Sequence, residues 1–288
     1  MKKNEIILGV IGGSGLYDID GLTNKKWIGI KSSYGKPSDK VLHANIGELK
    51  IRFLPRHGRN HKILPSDINF KANIEVLKKT GVTHVISVSA VGSLKENYLP
   101  GDFVLVNQFI DKTYKRNNSF FEDGIVGHVS MANPVCSELG CLILDSAKKS
   151  NIKIHSKGTY IVIEGPQFST KAESELYRKW SCDVIGMTNM PEAKLCREAQ
   201  MCYSSVAMVT DFDCWHPDHE NVTVESIIKV LKENSFNAKK LVQKIALNFN
   251  NEIIKYKCSC KESLIGSIIT KENKISSSLK KKLFFMFK

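Results

Sequence analysis

Six short runs of apolar residues, rich in β-branched side chains, punctuate the chain at residues 6–11, 85–89, 103–106, 160–163, 184–187 and 202–209. They are continuous rather than alternating, which predicts strands buried on both faces. Between them the period lengthens to that of a helix. Ala72, Ile74, Val76 and Leu77 mark one helix over residues 72–79, which stops at Gly81. Thr170 followed by Glu173 reads as a capping box that opens a second helix toward Trp180. Pro191 in a first turn opens a third over residues 191–199. The longest helical stretch, 224–249, carries a predicted break near Asn234 and Asn237.

Alternating strands and helices predict an α/β fold: a single domain with a twisted, mixed but largely parallel sheet flanked by helices. Neither a repeat nor an interior low-complexity linker divides it. We place the domain at 1–270 and expect 271–288 to be a basic, poorly ordered tail.

Composition narrows the class. Of 288 residues, 42% are hydrophobic, enough for a sizeable core, and no apolar run reaches the roughly 18 residues of a membrane helix. Met1-Lys2-Lys3 leads into a short strand and then glycines rather than a signal peptide, so a cytoplasmic location is expected, without a membrane partner. The net charge of +13 raises the question of nucleic acid. The lysines are scattered, however, and no motif interleaves them with aromatics. A solvated basic face, or steering of an anionic substrate, explains the charge without a nucleic-acid partner.

Of the eight cysteines, six are dispersed and read as small core residues. Cys258-Ser259-Cys260 is spaced too tightly for the usual zinc pair, and a reducing compartment argues against a disulfide. Two free surface thiols and no metal site are expected there.

In parallel α/β sheets ligands meet the carboxyl ends of strands. Three such ends carry anion chemistry. Gly12-Gly13-Ser14-Gly15 offers amides and a hydroxyl, although a plain strand-to-helix turn fits it equally well. Pro55-Arg56-His57-Gly58-Arg59 sets two guanidinium groups and an imidazole around a glycine. Ser87-Val88-Ser89-Ala90-Val91-Gly92-Ser93 adds hydroxyls and small residues, or else forms a tightly packed turn. Each alone has a bland reading; their convergence points to phosphate. Two other ends suit a flat base. Glu164-Gly-Pro-Gln-Phe168-Ser169 presents an aromatic ring, and Thr210-Asp211-Phe212-Asp213 presents two carboxylates that project to one side if the segment stays extended. No ligand set for a metal forms around them, and His216 and His219 read as loop residues.

In their order these segments resemble the purine nucleoside phosphorylase family, in its trimeric branch, and within it the members that cleave 5′-methylthioadenosine. The resemblance runs from about residue 6 to 270. It includes Gln-Phe-Ile-Asp at 108–111 and Gly-Met-Thr-Asn-Met-Pro-Glu at 186–192. It implies a pentosyltransferase that uses inorganic phosphate as co-substrate, needs no cofactor and assembles as a homotrimer. By position, Ser14, Arg56, His57, Ser89, Ala90 and Thr188 would hold phosphate. Met187 would lie along the ribose, and Phe168, Ser169, Asp211 and Asp213 would meet the base. Asp211 and His57 would be catalytic. Val224 and Ile227 would wall the 5′ pocket, into which His128 would reach from the neighbouring subunit. Ser169 and Asp211 stand where 6-oxopurine members carry Glu and Asn, which favours adenine. Methylthioinosine and 6-oxopurine nucleosides are the alternative substrates.

Overall fold

The computed structural model describes residues 5–13, 15–217, 224–252 and 258–287. Among them, eleven strands join in one sheet. Its centre is parallel. β1 (Ile7–Gly12) lies between β4 (Leu49–Pro55) and β5 (His84–Ser93), and β5 lies beside β11 (Cys202–Asp211). β2 (Leu22–Ile28) and β3 (Val41–Ile46) extend the sheet past β4 in antiparallel fashion. Beyond β11, β6 (Phe103–Val106) runs antiparallel and β8 (Ile154–His155) parallel to β6.

Helices cover both faces of the centre. α1 (Phe70–Lys79) and α4 (Glu192–Glu198) pack on one face; α2 (Ser137–Lys149) and α5 (Val224–Glu252) pack on the other. This is why β1 is apolar throughout. Ile7 and Ile11 enter the core with Ile74 and Leu195, while Leu8 and Val10 enter the core with Leu142 and Ile245. Gly9 between them is fixed by space, since a Cβ there would meet Val82 at 2.7 Å.

The sheet divides along β5. β1 follows β5 only from His84 to Ser87. A short antiparallel strand, β10 (Val184–Gly186), pairs with it at Gly92 and Ser93. β9 (Thr159–Val162) and β7 (Gln108–Asp111) then continue the sheet on that side. Residues 88–91 therefore have a strand on the β11 side alone. The segment 87–93, for which a packed turn was the plainer reading, is the second half of a ten-residue strand. β11 and β10 supply the partners that its small residues do not advertise.

Local signals translate directly in α3 (Lys171–Lys179). Thr170 Oγ1 accepts from the Glu173 amide at 3.3 Å, and Glu173 returns the bond to the Thr170 amide at 2.7 Å. The expected break in the long helix is absent: α5 is continuous. Asn234 is fully buried and donates to Val209 O on β11 at 2.8 Å, so a tertiary bond replaces the local one that usually ends helices at Asn.

The tail is also ordered, contrary to expectation. Ser276 caps α6 (Ser277–Leu283), and a 3-10 turn follows over Phe284–Phe287. Leu283, Phe285 and Met286 are buried in the same core as α1 and α4. Phe285 lies edge-on to Phe120 at 5.0 Å, and Lys282 pairs with Glu122 at 2.5 Å. Apolar residues between the lysines, rather than the lysines themselves, decide the outcome. The cysteine pair differs too. Cys260 is buried, and Cys258 Sγ lies 3.1 Å from Cys202 Sγ at the start of β11.

Candidate active site

The carboxyl ends of β1, β4, β5 and β11 meet at the point where the sheet divides. Arg56 follows β4 directly, and its amide donates to Gly12 O at the end of β1. Its side chain is 2% exposed and turns inward. Nε donates to Glu192 at 2.5 Å, Nη2 to Ser87 Oγ at 2.6 Å, and Nη1 to Val88 O at 3.1 Å. Burial alone would depress the guanidinium, but Glu192 more than offsets it. Glu192 also accepts from Ser87 at 2.7 Å and from Tyr203 at 3.2 Å. Arg56 is thus the centre of a buried ion pair. One Nη1 hydrogen has no acceptor among the described residues, which leaves a single donor free for an anion.

His57 donates from Nδ1 to Ile63 O at 2.8 Å and stacks on His61 at 4.4 Å. Burial first, then the neighbouring Arg56 and His61, hold it down to about 4, so the ring is neutral at pH 7 with Nε2 as an acceptor. Ser89 Oγ lies in the unpaired stretch of β5, buried and without a partner in hydrogen-bonding geometry among the described residues. Thr188, just after β10, is buried beside the Tyr160 hydroxyl at 3.4 Å. Ala90 lies next to Ser89 in the same open stretch. Ser14 lies outside the described residues.

A second group forms around Asp211. The chain does not stay extended after β11. Asp213 takes a left-handed φ of 53°, and its amide folds back to Asp211 Oδ1 at 2.8 Å. That turn, rather than a shared strand face, brings the two carboxylates together. Thr210 Oγ1 donates to the other Asp211 oxygen at 2.7 Å. Burial pushes the Asp211 carboxyl up, and the charge of Asp213 adds to it, while the bonds from Thr210 and Asp213 oppose it. Ser169 reaches both Asp213 oxygens, at 2.7 and 2.9 Å, and so joins the loop after β9 to the end of β11. Phe168 beside it is 49% exposed, an available apolar face. Gly165 lets this loop press on Met187, because a Cβ there would lie 2.4 Å from the Met187 sulfur.

Two supports stand inside motifs quoted from the sequence, where nothing signals their role. Glu192 stands in the first turn of α4, where an acidic residue already has a local reason in the helix dipole. Glu164 accepts from Ser66 at 2.6 Å, the Tyr114 and Lys115 amides at 2.7 and 3.0 Å, and Arg116 at 3.2 Å. Burial would raise it, but these donors bring it down to about 2, fixing the loop behind Phe168.

The fold does not bring every expected residue to this place. Val224 and Ile227 belong to the first turn of α5, and their side chains lie outside those described, as does His219. His128 is exposed and lines a different cleft of about 900 Å³, with Gln108, Cys136 and Arg197.

Comparison with known proteins follows the same geometry. The pattern of the phosphorylase superfamily matches residues 7–246. The S-methyl-5′-thioadenosine phosphorylase of Rhodospirillum rubrum is 50% identical over 277 residues, covering 96% of this chain and 94% of the relative. A crystal structure of a methylthioadenosine phosphorylase from an Antarctic soil metagenomic library superposes with a TM-score of 0.93 at 42% identity, covering 99% of both chains. The methylthioadenosine phosphorylase of Schistosoma mansoni, in complex with adenine, gives a TM-score of 0.84 at 31% identity, covering 92% of this chain and 99% of that one. With this pattern spanning most of its length, the chain belongs to the phosphorylase superfamily.

Proposed function

We propose that this protein cleaves S-methyl-5′-thioadenosine with inorganic phosphate, releasing adenine and 5-methylthioribose 1-phosphate. The observation that carries this reading is Asp211: a partly buried carboxyl with a raised pKa, linked through its neighbour Asp213 to Ser169. Phosphorolysis passes through a sugar with oxocarbenium character, as glycoside hydrolysis does. Phosphate stabilises that cation and then bonds to C1′. The leaving purine gathers negative charge and needs a proton at N7, which a protonated Asp211 can deliver directly or through water. A carboxyl group can also accept from the N6 amino group of adenine. The names of the relatives point to the same substrate.

Phosphate is met by donors that are already fixed. Ser89 Oγ, Thr188 Oγ1 and the remaining Arg56 hydrogen supply hydrogen bonds, while the neutral His57 accepts a hydrogen bond from a phosphate hydroxyl. Glu192 cancels most of the Arg56 charge, so directed hydrogen bonds do more than net charge. Holding the nucleophile near C1′ removes an entropic barrier worth several kcal/mol.

A homotrimer, with His128 completing the 5′ side of a neighbour's site, accounts for a histidine that stands apart from Asp211 within one chain. Among the described residues no helix is long and apolar enough to cross a membrane. A cytoplasmic setting suits the substrates.

The deciding assay incubates the protein with methylthioadenosine, with and without phosphate, and follows adenine. Release that requires phosphate is expected; release at the same rate without it makes the protein a hydrolase. Inosine, methylthioinosine and adenosine run in parallel define the choice of base and of 5′ group.

A further inference from the structure

Four cysteines from three parts of the chain converge away from Asp211. The Sγ atoms of Cys136, Cys202, Cys258 and Cys260 all lie within 4.8 Å of one another. Cys136 caps the start of α2, Cys202 opens β11, and Cys258 and Cys260 flank a turn after α5. All four are free thiols, and three of them are buried. The 3.1 Å between Cys202 and Cys258 is well beyond the roughly 2.05 Å of a disulfide. Zinc–sulfur bonds of about 2.3 Å in a tetrahedron set the sulfurs about 3.8 Å apart, and the observed cluster brackets that spacing. A one-residue gap is too short for a familiar zinc pair in isolation. Here the backbone at Cys258 is extended (φ −102°, ψ 150°) and turns at once into a 3-10 helix, which brings both sulfurs to one point.

The surroundings suit negative sulfur. The Cys136 side chain stands at the positive end of α2, and Arg197 Nη1 lies 3.8 Å from Cys260 Sγ. The 900 Å³ cleft reaches Cys136, Cys258 and Cys260, giving an ion a route from solvent.

We propose that Cys136, Cys202, Cys258 and Cys260 form a tetrathiolate site for one divalent, thiophilic cation, with Zn²⁺ the natural occupant. On binding, four thiols give up four protons to solvent and four sulfur–metal bonds form, without any change of oxidation state. Loading therefore strengthens as pH rises. The site fastens the segment after α5 to β11 and α2. That segment in turn braces the loop carrying His128: Ser267 O accepts from the His128 amide at 2.8 Å, and Val126 O accepts from the Ile269 amide at 2.9 Å.

The test begins with the full-length protein purified under reductant and without chelator, analysed for metal by mass spectrometry. One zinc per chain is expected, together with four thiols that become titratable under native conditions only after a strong chelator removes it. The melting temperature should fall on that removal. Cys202→Ser and Cys260→Ser should each reduce zinc to below about a tenth of an equivalent, whereas Cys182→Ser should retain it. If the serine variants fail to fold, Co²⁺ added to chelator-treated wild type provides an independent readout. Tetrahedral thiolate coordination gives intense sulfur-to-cobalt charge transfer with visible ligand-field bands. Reduced wild type that takes up neither zinc nor cobalt overturns the proposal. So does recovery of the four sulfurs as two disulfides in protein prepared without reductant and free of metal.

Discussion

Arg56 and Ser89 show two opposite uses of a buried polar group. Arg56 is satisfied within the protein by Glu192, so removing either partner leaves an uncompensated charge. Glu192→Ala should destabilise the fold by about 3–5 kcal/mol, read by urea unfolding. A loss below about 1 kcal/mol would mean that the pair is not the anchor described above. Ser89 is the reverse case, with a buried hydroxyl that meets no partner in hydrogen-bonding geometry among the described residues. Ser89→Ala should leave stability unchanged or raise it by up to about 1 kcal/mol, because an unmet desolvation penalty disappears. Its KM for phosphate should rise roughly tenfold, the worth of one hydrogen bond to an anion. Equal losses in stability and phosphate use would assign Ser89 to packing. At Asp211 the expected effect lies in turnover. Asp211→Asn keeps the shape and loses the proton, so kcat should fall on the order of 100- to 10,000-fold. In the wild type, kcat should decline as pH rises through the elevated Asp211 pKa, and the variant should lose that limb. Full turnover in Asp211→Asn would remove proton delivery from the mechanism.

Among elements, local chemistry was readable wherever it decided the outcome alone. The Thr170 capping box, the α1 stop before Gly81 and the apolar runs of β1, β6 and β11 all lie close to where the sequence puts them. Misreadings came where distant contacts outweighed local preference. Asn234 passes through α5 because Val209 O accepts its amide, and the tail packs because Tyr34 and Phe120 receive Phe285. Neither partner is near in sequence, so no window over the chain contains both. Gly92 is the position where element and site meet. A Cβ there would lie 2.9 Å from Asp211 Oδ1 and 3.1 Å from Ile185. Gly92→Ala should therefore displace the carboxylate and reduce kcat at least tenfold, alongside a loss of stability of roughly 1–3 kcal/mol from overpacking. Unaltered kinetics in a folded Gly92→Ala protein would show that the Asp211 position tolerates movement.

For the whole molecule, the ordered series of motifs made the family legible, since the carboxyl ends of parallel strands gather residues scattered from Arg56 to Asp213. The Arg56–Glu192 pair and the four-cysteine cluster were not legible, because each depends on side-chain direction and depth rather than on order. Net charge was a poor guide, as the lysines of the tail lie over a buried apolar stripe. Acid sensitivity is a property of the assembled core. Burial, the main cause in each case, holds His43, His57 and His84 to about 4, against an ordinary value of 6.5. Between those limits the unfolded chain binds more protons than the folded one, so stability is full above about pH 6.5 and falls toward pH 4. At pH 5 the loss should be roughly 1–2 kcal/mol for each of the well-buried rings His57 and His84, and less for His43. Asp211 and Glu198, both raised chiefly by burial, contribute with the opposite sign. Thermal melts between pH 7.5 and 5 should move steadily downward; a flat profile would contradict neutral burial of these rings.

The gap in β5 has a consequence for observing the protein at work. Along most of the central sheet, amide protons are locked between two strands and exchange with deuterated solvent only on large-scale opening. Residues 88–91, though mostly buried, have no strand partner on one side among the described residues, in the middle of an otherwise paired strand. Hydrogen–deuterium exchange of the peptide spanning this stretch should therefore be a label-free gauge of occupancy, fast in the free protein and slow when phosphate fills the gap. Its flanks, held by β1 at Ser87 and by β10 at Gly92, serve as the internal reference.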